Sequence, residues 1–180
     1  MVAKTRENGG NFIKIMISGL MDFDHFGVLT QPGLPAEEIR ELIHIAHEEG
    51  MAVMAHANGA ETVLAAANAG VDSVEHGAYL NDEALAAMAE MGTVWVPTLS
   101  TIGNLQGKGR FPDKETAQIL ESALLNVEAF HKMGGLVAAG TDAGAWAVPH
   151  GCQTEENYLA QAGLTQPDLA KGLAVIKKKF

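Results

Sequence analysis

Apolar and polar positions along the chain follow two rhythms. Continuous apolar runs predict five buried strands: "NFIKIMIS" (11–18), "MAVMAHA" (51–57), "VDSVEHGA" (71–78), "TVWVPTLS" (93–100) and "LVAAGTDA" (136–143). Between them the spacing becomes helical. In "PAEEIRELIHIAHEEG" (35–50), Ile39, Leu42, Ile43 and Ala46 recur on one face, acids crowd the first turn, and Gly50 stops the run. "GAETVLAAANAG" (59–70) predicts a short helix. "NDEALAAMAEMG" (81–92) predicts another, capped by Asn81 or Asp82, and "DKETAQILESALLNVEAFHKMG" (113–134) predicts a long amphipathic one. "QTEENYLAQAG" and "TQPDLAKGLAVIKKKF" supply two further helical pieces after the last strand.

Strict alternation of apolar strands with helices predicts an α/β fold, a parallel sheet with helices packed on it. Most returns from helix to strand are single glycine turns. The connections leaving the strands are long, notably 19–34, 100–112 and 144–153. Tight turns at one end and long loops at the other describe a βα-barrel or a doubly wound sheet, with its working face at the strand C-termini. Neither GxGxxG nor a Walker loop occurs, so a nucleotide-binding version has no support. No repeat, low-complexity tract or linker divides the chain, and residues 1–180 read as one domain.

Composition narrows the partners. The 180 residues are 47% hydrophobic and 19% charged, ordinary for a globular chain, and the net charge is -10. An acidic surface disfavours nucleic acid and anionic membranes. No apolar run approaches the roughly 20 residues that span a bilayer, and "MVAKTRENGGNF" lacks the apolar centre of a signal peptide. The single cysteine, Cys152, permits no internal disulfide, reads as an ordinary loop thiol, and fits a reducing, cytoplasmic location.

Polar residues at the strand ends carry the chemistry. Lys14 interrupts the first strand, His56 ends the second, Glu75 and His76 end the third, and Asp142 ends the fifth. The fourth ends in Pro97, Thr98 and Ser100, with no strong ligand. Singly, each has an ordinary reading: a lysine snorkelling from an edge, a hydrogen-bonded histidine, a helix-capping aspartate. Together they fall at one end of parallel strands, where side chains converge. Two neutral imidazoles and a carboxylate are a normal Zn²⁺ ligand set. A buried lysine is better tolerated neutral or chemically modified than as a bare ammonium.

"FIKIMISG", "VMAHANG", "SVEHGAYL" and "AAGTDAG", in this order and spacing, resemble the amidohydrolase superfamily, in the branch of imidazolonepropionase-like and Xaa-Pro-dipeptidase-like metallohydrolases. The resemblance covers roughly residues 10 to 170. It implies a (β/α)8 TIM barrel with one or two divalent metals, most simply zinc. Metal ligands carry over to Lys14 (as a carboxylated lysine), His56, His76 and Asp142. The implied chemistry is hydrolysis of a C–N bond by a metal-activated water in a dipeptide-like or cyclic amide substrate, with Asp142 passing the proton to the leaving amine. Tyr79, after the "EHG" motif, is a weaker candidate for substrate contact.

The chain departs from the family in one respect. The superfamily's strand-1 His-x-His is absent, so the resemblance assigns about five of the eight units, strands 4–8, without the flanking β-sandwich. Length agrees, since at about 31 residues per unit five units need roughly 156. Such a piece leaves two unpaired edges and an open inner face, predicting self-association or pairing with a complementary barrel fragment. Two other readings stay open: a non-catalytic, self-associating remnant that binds no metal, and a non-metal α/β enzyme or binding domain. His44 and His47 read as a solvated helix face, and His131 as structural. His25, His150 and Trp146 lie in working-face loops, and Lys177, Lys178 and Lys179 suit a helix C-terminus.

Overall fold

The computed structural model describes residues 2–180. A short helix α1 (Val2–Glu7) precedes β1 (Phe12–Met16) and α2 (Ala36–Glu48). Then come β2 (Ala52–Ala57), α3 (Ala60–Asn68), β3 (Ser73–His76), α4 (Asp82–Met91) and β4 (Val94–Val96). The chain continues through α5 (Ser100–Gly103), α6 (Asp113–Lys132), β5 (Leu136–Val137), α7 (Thr154–Gln161) and α8 (Gln166–Lys179). The five strands form one sheet in the order β1-β2-β3-β4-β5, and every pairing is parallel. The expected alternation is therefore present; α1 and α5 are additions that the apolar pattern did not announce.

Register sorts the sheet into two faces, because residues paired across parallel strands point the same way. Ile15, Ala55, Val74, Trp95 and Val137 form one row. All are buried in a core shared with residues of α2, α3, α4 and α6. The neighbouring rows point to the other face: Lys14, Met54, Ser73, Val94 and Leu136, then Met16, His56, Glu75 and Val96. At the β1 side this second face is open, and Met16 is 64% exposed. Lys14 is exposed too. Of the two readings of Lys14, the edge lysine reaching solvent fits: alternation sends it to the inner face, where no further strand among the described residues covers it.

The last helix partly fills that opening. Val175 and Ile176 of α8 pack on Val94, Val96 and Ala138. Gly172 brings the helix onto β5, for a Cβ there would stand 2.1 Å from the Val137 carbonyl oxygen. At the far end, Asn11 Nδ2 donates to the Phe180 carbonyl at 2.6 Å and the Phe12 and Phe180 rings meet edge to face. α8 therefore reaches from one edge strand to the other.

Strands β4 and β5 are shorter than their apolar runs. Pro97 has no N–H to continue a ladder, and the chain turns immediately into α5. β5 has a neighbour on one side only, and its ladder ends after Ala138 N donates to Trp95 O. Gly140 then passes close to Val96, where a Cβ would lie 2.5 Å from Cγ1.

Candidate active site

The C-terminal ends of the strands enclose a cavity of about 480 Å³. Its walls include His56, Asn58, His76, Asp142, Arg110 and Trp146. Among the described residues, four non-glycine residues have left-handed backbone, and all follow the C-terminal ends of β3, β4 or β5: His76 (φ 70), Tyr79 (φ 60), Thr98 (φ 50) and Asp142 (φ 50). Such conformations cost of order 1–3 kcal/mol each and persist where the surroundings over-determine them.

His56 and His76 form the centre. Their rings are 4.6 Å apart between centroids, nearly edge to face. His56 Nε2 faces the Gly19 carbonyl at 3.3 Å. If Nε2 carries the hydrogen, Nδ1 keeps the lone pair. His76 Nδ1 lies 2.7 Å from Thr98 Oγ1; the tautomer that donates there leaves the Nε2 lone pair unengaged. Burial lowers both imidazoles' affinity for protons. For His56, the Gly19 carbonyl pulls the other way and Lys14 adds to the lowering. His76 is brought down to about 3, by burial first and then by His56 and Lys14. Both rings are neutral at pH 7, the state a metal ligand or a general base requires.

Lys14, Glu75 and Asp142 surround the pair with charge. Glu75 shares a row with His56, is 8% exposed, and accepts from Ser73 Oγ at 2.8 Å. Burial pushes its carboxyl up, while Lys14 pulls it down. Desolvation lowers the Lys14 ammonium, against the pull of Glu75 and Asp142. Asp142 lines the cavity from beyond β5. Tyr79 lies elsewhere: its ring packs on Phe26, it is not among the cavity-lining residues, and its buried hydroxyl faces the Gly27 backbone.

The Amidohydrolase family matches residues 2–174 of the chain. The chain belongs to this family. An uncharacterized protein of Mycobacterium tuberculosis is 35% identical over 134 residues, which are 71% of this chain and 36% of that one. Ochratoxinase of Aspergillus niger is 29% identical over 145 residues, 74% of this chain and 29% of that one. The solved structure of a Xaa-Pro dipeptidase with bound methionine superposes with a TM-score of 0.79 at 28% identity, covering 99% of this chain and 47% of that one. The chain thus spans about a third of the curated relatives it matches, and under half of the dipeptidase. Its α/β architecture, five parallel strands in one sheet, is that of part of an amidohydrolase barrel.

The donor chemistry of this amidohydrolase chain fits a metal in one respect. Two neutral imidazoles, each with one ring nitrogen engaged by a backbone or hydroxyl oxygen, are oriented as ligating histidines usually are. The carboxylates do not complete the set, for among the described residues no three His, Cys, Asp or Glu side chains are grouped closely enough to hold an ion.

Other positions hold this constellation together, and the apolar pattern did not expose them. Asn58 is fully buried; its Nδ2 donates to Gly19 O at 3.1 Å, and its Oδ1 accepts from Ala78 N at 2.9 Å. It joins the loops after β1 and β3 beneath the histidines, and a polar residue inside "AHANG" was its only sequence signal. Thr98, assigned no role by residue type, orients His76. Arg110 lies over the rings of Phe111 (5.2 Å) and Trp146 (4.9 Å) at the cavity wall. Trp146 thus lines the cleft as its loop position suggested. His25 is paired with Asp22 at 2.9 Å, and His47 with Asp72 at 2.8 Å. His47 is exposed on α2, as the helix face predicted, and its ring is also anchored to Asp72. No helix of the described residues is long and apolar enough to cross a membrane.

Proposed function

We propose that this chain forms the histidine and aspartate half of a metal-dependent amidohydrolase site, which hydrolyses a C–N bond in a dipeptide-like or cyclic amide substrate. The observation that carries the reading is the His56–His76 pair, 4.6 Å apart, neutral, and on the wall of a cavity shared with Asp142. His56 and His76 would hold a divalent ion, most simply Zn²⁺ given imidazole donors; Asp142 and a carboxylated Lys14, the further ligands that the family resemblance implies, would have to draw closer to complete the set. Such an ion supplies a Lewis acid and an activated water at neutral pH.

The chain's own residues do the rest. Asp142 takes a proton from the attacking water and delivers it to the leaving nitrogen, so the C–N bond breaks as the amine departs neutral. The apolar lining, Met21, Phe23 and Phe111 among it, favours an apolar part of the substrate beside the scissile bond.

The test is metal analysis of the purified chain, followed by hydrolysis of a panel of dipeptides and cyclic amides. Near-stoichiometric zinc, lost in His56→Ala and Asp142→Ala, supports the proposal. Absence of bound metal, with stability unchanged by chelation, overturns it. That outcome would favour the second reading, a non-catalytic remnant, which draws support from the lack of a three-ligand cluster among the described residues.

A further inference from the structure

Glu155 is 1% exposed, in the first turn of α7. Its carboxylate accepts from Leu99 N at 3.0 Å, Ser100 N at 2.7 Å and Ser100 Oγ at 2.7 Å. Burial pushes its carboxyl up, and these donors pull it down. Burying a carboxylate is costly, and three donors offset that cost only if they stay in place. The segment held this way begins one residue after Thr98. Thr98 is β-branched and left-handed, a conformation its own side chain opposes. Its hydroxyl meets His76 Nδ1, and its carbonyl accepts from Thr101 N at 2.9 Å and Thr101 Oγ1 at 2.8 Å.

Glu155 also stands at the end of the other wall. The loop that leaves Asp142 runs through Trp146 into α7, and it is tied to α5 a second time by Asn104 Nδ2, which donates to Ala147 O at 3.1 Å. The segment that continues from Leu99 and Ser100 lines the cavity with Thr101 and Leu105, and the segment after β5 lines it with Asp142, Ala145, Trp146 and Ala147. The Glu155 carboxylate bridges them across a separation of 55 and 56 residues.

We propose that Glu155 is a positioning residue of the cleft: by clamping Leu99 and Ser100 it holds Thr98 left-handed, and Thr98 in turn holds the His76 ring in one orientation through its hydroxyl. This rests on reading His76 as a working group of the site. An ordinary anchor between α5 and α7 would support stability alone. A positioning residue also changes the state of a ring that it does not touch.

Nitrogen NMR of the imidazole rings in the full chain, labelled with ¹⁵N-histidine, reads that state at neutral pH without metal or substrate. The wild type is expected to show one set of His76 ring resonances. Thr98→Val, which removes the hydroxyl at Nδ1, should shift them. Glu155→Gln, which sets an amide N–H against a backbone N–H, should shift His76 the same way by at least half as much, with His131 on α6 unmoved. The double variant should match Thr98→Val. The proposal is overturned if Glu155→Gln leaves the His76 shifts at wild-type values, or if Thr98→Val does not move them. Should Glu155→Gln fail to fold, Ser100→Ala removes one donor and reads the same shift or its absence. Failure of the metal and amide assays would overturn the proposed function and leave this result readable.

Discussion

Lys179, in the last turn of α8, reaches Asp72 at the start of β3, with Nζ 2.7 Å from Oδ1 across 107 residues. The other carboxylate oxygen of Asp72 accepts from Val53 N and faces His47 Nε2, each at 2.8 Å. One buried acid therefore joins a helix from the far edge of the sheet to two elements of its near half.

This makes Asp72 an acid-sensitive anchor. Burial opposes its ionisation, but Lys179, the Val53 amide and His47 outweigh that and bring its carboxyl below the usual carboxylate range. The folded state thus binds its proton less readily than the unfolded state. Its contribution is fully present above the unfolded value near pH 4, and is lost as pH falls through the lower folded value. Urea midpoints measured between pH 7 and pH 3 should fall at the acid end, and Asp72→Asn should flatten that part of the curve. Asp72→Ala should cost about 2–4 kcal/mol, since the Val53 amide loses its partner. Lys179→Ala, at the more exposed end of the pair, should cost no more than about 1 kcal/mol.

Asn58 should be the most sensitive polar position beneath the histidines. Asn58→Ala strands one buried amide, Ala78 N, while Gly19 O keeps His56 Nε2 as a partner. A loss of about 1–3 kcal/mol in chemical denaturation is expected. Asn58→Asp keeps the acceptor for Ala78 and should cost less at acid pH, where the carboxyl can still donate, than at neutral pH.

Gly172→Ala separates helix propensity from docking. In an isolated helix the change would gain about 1 kcal/mol. Here the new methyl meets the Val137 carbonyl oxygen at 2.1 Å and the Ala138 nitrogen at 3.0 Å, both backbone atoms that cannot swing away. The variant should be less stable than the wild type, and amide exchange should speed up in β5 and α8 before the rest of the sheet. Greater stability would mean that α8 is not docked through this glycine.

The open edge of β1 predicts association in solution. Met16 is 64% exposed on the inner face, and β1 pairs with β2 alone. Edges of this kind recruit another chain. Light scattering across a concentration series should show self-association, and Met16→Lys should weaken it by placing a second ammonium beside Lys14. A strictly monomeric wild type would contradict this expectation.

The amino-acid sequence by itself determined the order of strands and helices and the parallel-sheet class, and it singled out His56, His76 and Asp142, which the fold brings to one cavity. It could do so because an ionisable side chain inside or just after an apolar run stands out without any partner. Tertiary structure decided how those residues meet. Pairing places His76 in the row of Ala57, which points to the helix side; only its left-handed backbone (φ 70) swings the ring round to within 4.6 Å of His56. Alternation cannot report such a reversal. Nor could it expose Asn58, Thr98 and Glu155, whose partners lie 20, 22 and 55 residues away. Loop polar residues look alike in a sequence, and acquire a role only when the fold buries a donor or an acceptor beside them. Lys14 shows the converse: its charge stood out in an apolar strand, and the fold alone placed it on the inner face, exposed yet desolvated enough to lower its ammonium.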